Sequence, residues 1–217
     1  MVGRAGDGPT WRDVVRQAAR DAAVREMSAG RDEENILFNY RWEHTQAVVR
    51  LALRLAELTG ADRDVVEAAA WLHDVAKGQG EDHGQDGAAA ARRILTGTDY
   101  PQDKIEAVAG AVLNHVGLWR EEPLEPIEAA VLWDADKLTK LGATAVLHFV
   151  GYWIDAGQGT TEHLVGRLPD GDWQPRIVRN LQTAPARAAG QRRWELFQTF
   201  CEQAARELGG DDLGLSQ

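Results

Sequence analysis

The sequence predicts an all-α protein, a helical bundle with an additional helical segment at its C-terminal end. Three observations predict it. Apolar residues recur at three- and four-residue spacings nearly throughout the chain. No convincing period-two run reads as a strand, and no internal repeat is present. Glycine and proline punctuate the chain into segments of helical length.

The elements follow in order. A first helix is expected over about residues 10–29, closed by Gly30. A second starts near Tyr40 and ends at "LTG", with Gly60 as its left-handed terminator. A third begins at the Asp62 and Asp64 caps and runs to Gly78. "GQGEDHGQDG" is too polar and glycine-rich for a regular element and reads as a loop. "AAAARRIL" makes the fourth helix, and Pro101 suits the first turn of a fifth that reaches about His115. "GLWREEPLEP" is a second loop. "IEAAVLWDADKLTK" and "GATAVLHFVGYWID" supply the sixth and seventh helices. A glycine- and proline-containing stretch over about 157–175 precedes one long helix or a broken pair, and the tail "GGDDLGLSQ" should fray. The whole chain, 1–217, is expected to be one domain, with its core over 40–150 and a helical elaboration over 157–217.

Composition narrows the function classes. With 217 residues and 44% apolar content the chain can bury a substantial core. It has no run of about 18 apolar residues and no apolar leader, so neither a membrane span nor a secretory signal is expected. Cys201 is the only cysteine, which excludes an internal disulfide and a cysteine metal cage and fits a cytoplasmic protein. A net charge of −10 argues against non-specific binding to nucleic acid or anionic lipid. A small phosphorylated substrate, needing only local cations, stays open. Oligomeric state is not legible.

The chemistry lies in polar residues that interrupt apolar stripes. "AAAWLHDVAK" sets His73 and Asp74 in the middle of a hydrophobic run, where an uncompensated carboxylate costs several kcal/mol. Helical periodicity puts His44 on the face of Ala47, Val48, Leu51 and Leu55, and His73 with Val65, Ala69, Leu72 and Ala76. His115 ends the stripe of Ile105, Val108 and Val112, and Asp134 falls among Ile127, Ala130, Val131 and Leu138. Asp74 is rotated about 100° from His73, so both can reach one point beside the helix. Taken singly, each is a hydrogen-bonded core histidine or a buried cap. Together they offer the nitrogen and oxygen ligands of a divalent cation, which would supply the missing positive charge. His83 lies in the polar loop after that helix, from which it can fold back. His148 reads as core or as a residue behind the ligands, and His163 as an ordinary loop histidine.

These residues resemble a known family. "H…HD…D", here His44, His73–Asp74 and Asp134, looks like the signature of the HD-domain metal-dependent phosphohydrolases. "RWEHTQAVVRLALRLAELTGADRDVVEAAAWLHDVAK" resembles that family's first two core helices. "HGQDGAAAARRIL", "AVLNHVGL" and "AVLWDADKLTKLGA" resemble its later histidine and aspartate segments. The likeness is strong over about 40–150 and looser over the tail. It implies that His44, His73, Asp74 and Asp134 bind one metal and that Asp74 bridges to a second held by His83 and His115. The GYP element of the cyclic-di-GMP phosphodiesterases is missing, and Asn114 stands where they carry a histidine. Lys77 stands where many nucleotidases of the family carry a glutamate.

The activity so implied is metal-dependent hydrolysis of a phosphoester or phosphoanhydride in a nucleotide-like small molecule. A divalent ion lowers the pKa of bound water from 15.7 towards about 7, providing hydroxide at neutral pH. Asp74 and Lys77 are the expected catalytic residues, with Lys77, Arg41 and Lys137 contacting phosphate and Asp136 orienting a ligand or water. One or two ions, most simply two, are expected, with Mn, Fe, Co, Ni, Zn and Mg not distinguished by the ligand set. The alternative is a metal-containing sensor or interaction module without turnover.

Overall fold

The computed structural model describes residues 8–29, 36–78, 82–120, 122–157, 159–167 and 173–214. Among them it has ten α-helices and no strand: α1 (Trp11–Met27), α2 (Tyr40–Thr59), α3 (Arg63–Leu72), α4 (His83–Thr96), α5 (Ile105–Asn114), α6 (Ile127–Leu138), α7 (Ala143–Asp155), α8 (Thr161–Arg167), α9 (Trp173–Arg179) and α10 (Ala184–Gly209). The all-α expectation holds. Among the described residues, no helix is long and apolar enough to cross a membrane.

Side chains set most of the boundaries. Thr10 and Asp13 form a reciprocal capping box at α1. Asn39, Asp62, Asp82 and Thr183 each accept a backbone N–H at the start of α2, α3, α4 and α10. Gly60 and Gly210, at φ 76° and 74°, close α2 and α10 in the left-handed conformation that a β-carbon disfavours. Gly30 lies outside the described residues; α1 stops at Met27, with Ser28 as its cap.

Several expectations need correction. The fourth helix starts at His83 rather than inside "AAAARRIL", because Asp82 caps it through the Gln85 N–H. That puts part of the expected loop into a helix; residues 79–81 of that loop lie outside the described residues. The stretch expected to be irregular near 157–175 contains α8 and the start of α9, with 158 and 168–172 outside the described residues. The long C-terminal helix and its shorter neighbour are α10 and α9, broken at "NLQT".

The third helix ends at Leu72, six residues before Gly78, and the reason lies in His73. Its Nδ1 donates to the Ala70 carbonyl at 2.8 Å, taking an acceptor that a continuing helix would use. The backbone then tightens into turns, with Val75 N–H bonded to Leu72 O and Lys77 N–H to Asp74 O. His115 ends α5 in the same way, its Nδ1 donating to the Val112 carbonyl. Two helices therefore stop where their histidines cap them.

The core forms where α2, α3, α5 and α6 pack on one another, with α1 against α2 and α3 and α4 laid along α5. Val48, Val66, Leu72, Val108, Val112, Leu132 and Trp133 are fully buried there. Each such leucine or valine contributes roughly 1.5–3 kcal/mol of apolar burial. The C-terminal helices attach to this core mainly through α6, α2 and α7.

Candidate metal centre

Two carboxylates and three imidazoles meet inside the bundle. His44 Nε2 lies 3.3 Å from His73 Nε2, 3.3 Å from Asp136 Oδ1 and 3.9 Å from Asp74 Oδ2. His73 Nε2 is 3.5 Å from Asp74 Oδ2, and His115 Nε2 is 3.5 Å from the other oxygen, Oδ1. The Asp74 carboxylate therefore shows one oxygen to His44 and His73 and the other to His115. His83, the first residue of α4, completes the second group with Asp74 and His115. Ligand atoms lie within 4.8 Å of one another in the sets His44–His73–Asp136 and Asp74–His83–His115.

Hydrogen bonding fixes the tautomers. Carbonyl oxygens only accept, so His73 and His115 each carry a proton on Nδ1. The Thr139 hydroxyl donates to the Asp136 carbonyl at 2.6 Å, so it accepts from His44 Nδ1 at 3.2 Å. All three Nε2 atoms thus present lone pairs to the centre. Burial pushes the imidazole of His73 down to about 3 and that of His44 below its ordinary value, so neither gains a second proton at neutral pH. Imidazoles whose Nδ1–H groups are anchored on Ala70 O, Val112 O and the Thr139 hydroxyl turn their Nε2 lone pairs towards carboxylate oxygens, an assembly of acceptors. A divalent cation suits that donor set, and the carbonyls behind the rings are the supports that metal-binding histidines use.

The carboxylates are compensated by cations. Burial disfavours ionised Asp74, but the ammonium of Lys77 beside it helps keep its carboxyl well below the usual range. Lys77 Nζ lies 3.1 Å from Oδ2, and Arg41 approaches the same oxygen at 3.8 Å. Asp136 is buried too, yet Lys137 and Lys140 hold its carboxyl well below the usual range. Lys140 Nζ is 2.6 Å from Asp136 Oδ1, while Lys137 bonds Oδ2 and also the His115 carbonyl at 3.0 Å. These cations answer the folding cost posed by "WLHDVAK" without an ion being bound.

Asp134, expected among the ligands, is placed elsewhere. Its two oxygens accept the Gln182 and Thr183 N–H groups, each at 2.7 Å, pinning the start of α10 to α6. Burial pushes its carboxyl up, opposed by those bonds. The carboxylate that meets His44 and His73 is Asp136, one helical half-turn further on. Arg41 bonds Glu26 at 2.6 Å besides reaching Asp74, and Lys137 is buried on Asp136 rather than free for a ligand. Thr139 and Lys140, absent from the expected site, complete it. His148 lies edge-on to Tyr40, and Tyr40 stacks on His44 with ring centroids 5.9 Å apart. His163 is on α8, outside both ligand sets.

A cavity of about 180 Å³ opens on the cluster, walled by Asp74, Lys77, His83, Asp136, Lys137 and Lys140. It has room for a phosphoryl group and some water, below the roughly 300–1,000 Å³ of a site enclosing a whole organic ligand. Its wall depends on two glycines of α4. A β-carbon on Gly84 would meet Val116 Cγ2 at 2.8 Å and the Leu113 carbonyl at 3.1 Å, and one on Gly87 would meet Val112 Cγ1 at 3.1 Å. Gly84→Ala should therefore lift the start of α4 off α5, carrying His83 away from His115. The expected cost is about 1–3 kcal/mol of stability. Thermal melting and metal analysis check it: a lower midpoint and a smaller metal complement are the expected pair.

An all-α bundle around His44, His73–Asp74 and a final aspartate defines a class of protein. The family model of the HD domain matches residues 41–141, so the chain contains an HD domain. Solved structures share the fold. A "predicted HD superfamily hydrolase" from an uncultured Thermotogales bacterium is 21% identical with a TM-score of 0.63, over 91% of this chain and 92% of that one. Bacillus subtilis YpgQ in complex with ADP is 20% identical with a TM-score of 0.64, over 90% and 98%. An HD-superfamily hydrolase from Bacillus thuringiensis is 19% identical with a TM-score of 0.59, over 92% and 99%.

Proposed function

We propose that the protein is a metal-dependent phosphohydrolase that cleaves a phosphoester or phosphoanhydride of a nucleotide-like small molecule. The observation that carries this reading is the acceptor-only cluster. Six ligand residues, four of them buried, gather in two sets beside a solvent-connected cavity walled by lysines. One ion is assigned to His44, His73 and Asp136 with Asp74 Oδ2 adjacent, and a second to Asp74, His83 and His115. When bound, such ions activate water at neutral pH and neutralise charge on a phosphoryl group.

The chain's own residues do the rest. Asp74, divided between the two sets, keeps them in register. Thr139, Ala70 O and Val112 O hold the three imidazoles with Nε2 inward. Arg41 steadies Asp74 from α2, itself anchored on Glu26 of α1. Lys77, a third exposed and on the cavity wall, is the cation placed to meet a phosphate oxygen. Structural metal sites close their coordination shell, whereas three or four protein ligands per ion beside an open cavity leave positions for water and substrate. That favours turnover over a sensor module. The ADP bound to YpgQ, a protein of the same fold, supports a nucleotide as the substrate class.

The test is hydrolysis of a nucleotide and phosphoester panel with several divalent ions, with metal measured on the protein as isolated. Release of phosphate or pyrophosphate only when an ion is present is the expected result. Undiminished hydrolysis in excess chelator, or none on any phosphorylated compound with metal loaded, would overturn the proposal.

A further inference from the structure

A second cavity, about 420 Å³, lies between the loop after α5 and the α9–α10 junction, walled by Arg120, Arg179, Arg187, Asn180 and Gln182. The chain's net charge is −10, yet among the described residues the lining of this cavity contains three arginines and no acid. The amide side chains are already engaged. Asn180 Oδ1 accepts the Arg120 N–H and its Nδ2 donates to Arg176 O, while Gln182 accepts the Leu124 N–H and donates to Asn180 O. Arg187 spends one nitrogen on the Leu181 and Gln182 carbonyls, keeping its other donors. Arg120 and Arg179 make no ion pair with a described carboxylate. The cavity's uncommitted polar groups are therefore guanidinium donors, the geometry suited to phosphate oxygens.

This cavity adjoins the metal centre through one indole. Trp133 has Lys137 Nζ 4.2 Å from its ring centroid on the metal side and the Arg120 guanidinium at 5.6 Å on the other cavity's side. Its Nε1 donates to Asn180 O, and Asp134 of the same helix holds the Gln182 and Thr183 N–H groups. We infer that the arginine-lined cavity is a second anion site, separate from the metal centre, that takes a chain of phosphates. Three guanidinium groups in one cavity, none within ion-pair distance of a described carboxylate, suit more than a single negative charge, which a polyphosphate chain supplies. The chain is either a free polyphosphate or the far end of a molecule whose reacting phosphoryl group sits over Asp74.

Inorganic tripolyphosphate is the probe, titrated by calorimetry into the full chain stripped of metal and kept in chelator, so that the result needs no turnover. Binding that weakens with added salt is expected. Arg120→Ala with Arg179→Ala should reduce it at least about tenfold, and Lys77→Ala should leave it unchanged. Arg179 has no described partner, so Arg179→Ala alone is the variant that keeps the fold, and Arg179→Lys should restore part of the binding. No binding, or binding lost in Lys77→Ala and kept in the arginine variants, overturns the inference. With a turned-over nucleotide in hand, the two sources separate. A raised KM at unchanged kcat in Arg179→Ala, with competitive inhibition by tripolyphosphate, assigns the chain to the substrate. Altered kcat without competition assigns it to a free ligand.

Discussion

Asp136→Asn is expected to abolish metal binding at the His44–His73 set and with it the proposed hydrolysis, whereas Asp134→Ala should keep the metal and lose stability. The two residues are neighbours on one buried helix, so the contrast separates a ligand from an anchor. Asp134 accepts two backbone N–H groups at 2.7 Å each. Hydrogen bonds to a charged acceptor contribute about 1.5–3 kcal/mol each, and Thr183 N would be left buried without a partner. A loss of roughly 2–4 kcal/mol follows, which in a chain of this size lowers the melting midpoint by about 5–15 °C. Asp136→Asn keeps the shape of the side chain but removes the charge that Lys137 and Lys140 surround, so it also destabilises. Stability alone therefore does not discriminate, and metal content measured below both midpoints does. A metal-depleted Asp134→Ala protein beside a metal-replete Asp136→Asn protein would sink the ligand assignment.

Much of this site was legible in the sequence. Single stripes of period 3.6 on α2 and α5 pointed His44 and His115 inward, because each of those helices has one buried and one solvated face; α3 is buried nearly all round from Val65 to Leu72, and there His73 and Asp74 stood out as the polar pair that follows an apolar run. The same reasoning chose the wrong aspartate on α6. There, every residue from Ala129 to Leu138 is buried, so no apolar stripe marks the face towards the site. Charge spacing narrows the choice without making it: Lys140 stands four residues after Asp136 and bonds it, but Lys137 stands three residues after Asp134, so only the tertiary contact of Asp134 with the start of α10 separates the two. His83 was read as a loop residue because glycines flank it. Gly84 and Gly87 turn out to be there for the close approach of α4 to α5, a tertiary demand that local propensity cannot express. The premature end of α3 was hidden for a related reason: a side chain competes for a backbone carbonyl only once the ring's direction is fixed.

Asp74→Ala is expected to remove both ions and to lower turnover by at least about 10³-fold, the scale of losing a principal electrostatic contact to the reacting group. His83→Ala, by contrast, should leave one ion in place, since His44, His73, Asp136 and Asp74 Oδ2 are untouched by it. Stability separates its two roles. In the metal-free protein Asp74 is held ionised beside Lys77, with Arg41 at longer range, and a carboxyl kept well below its usual range in the folded state contributes stability at neutral pH. Truncation removes that contribution, although Lys77, a third exposed, can turn to solvent and Arg41 keeps Glu26. Metal-free Asp74→Ala should thus melt somewhat below metal-free wild type, while wild type alone gains a higher midpoint on adding metal, because an ion that binds the folded state stabilises it. A variant that still gains stability from metal to the wild-type extent would mean that the carboxylate shared between the two sets is not what holds the ions.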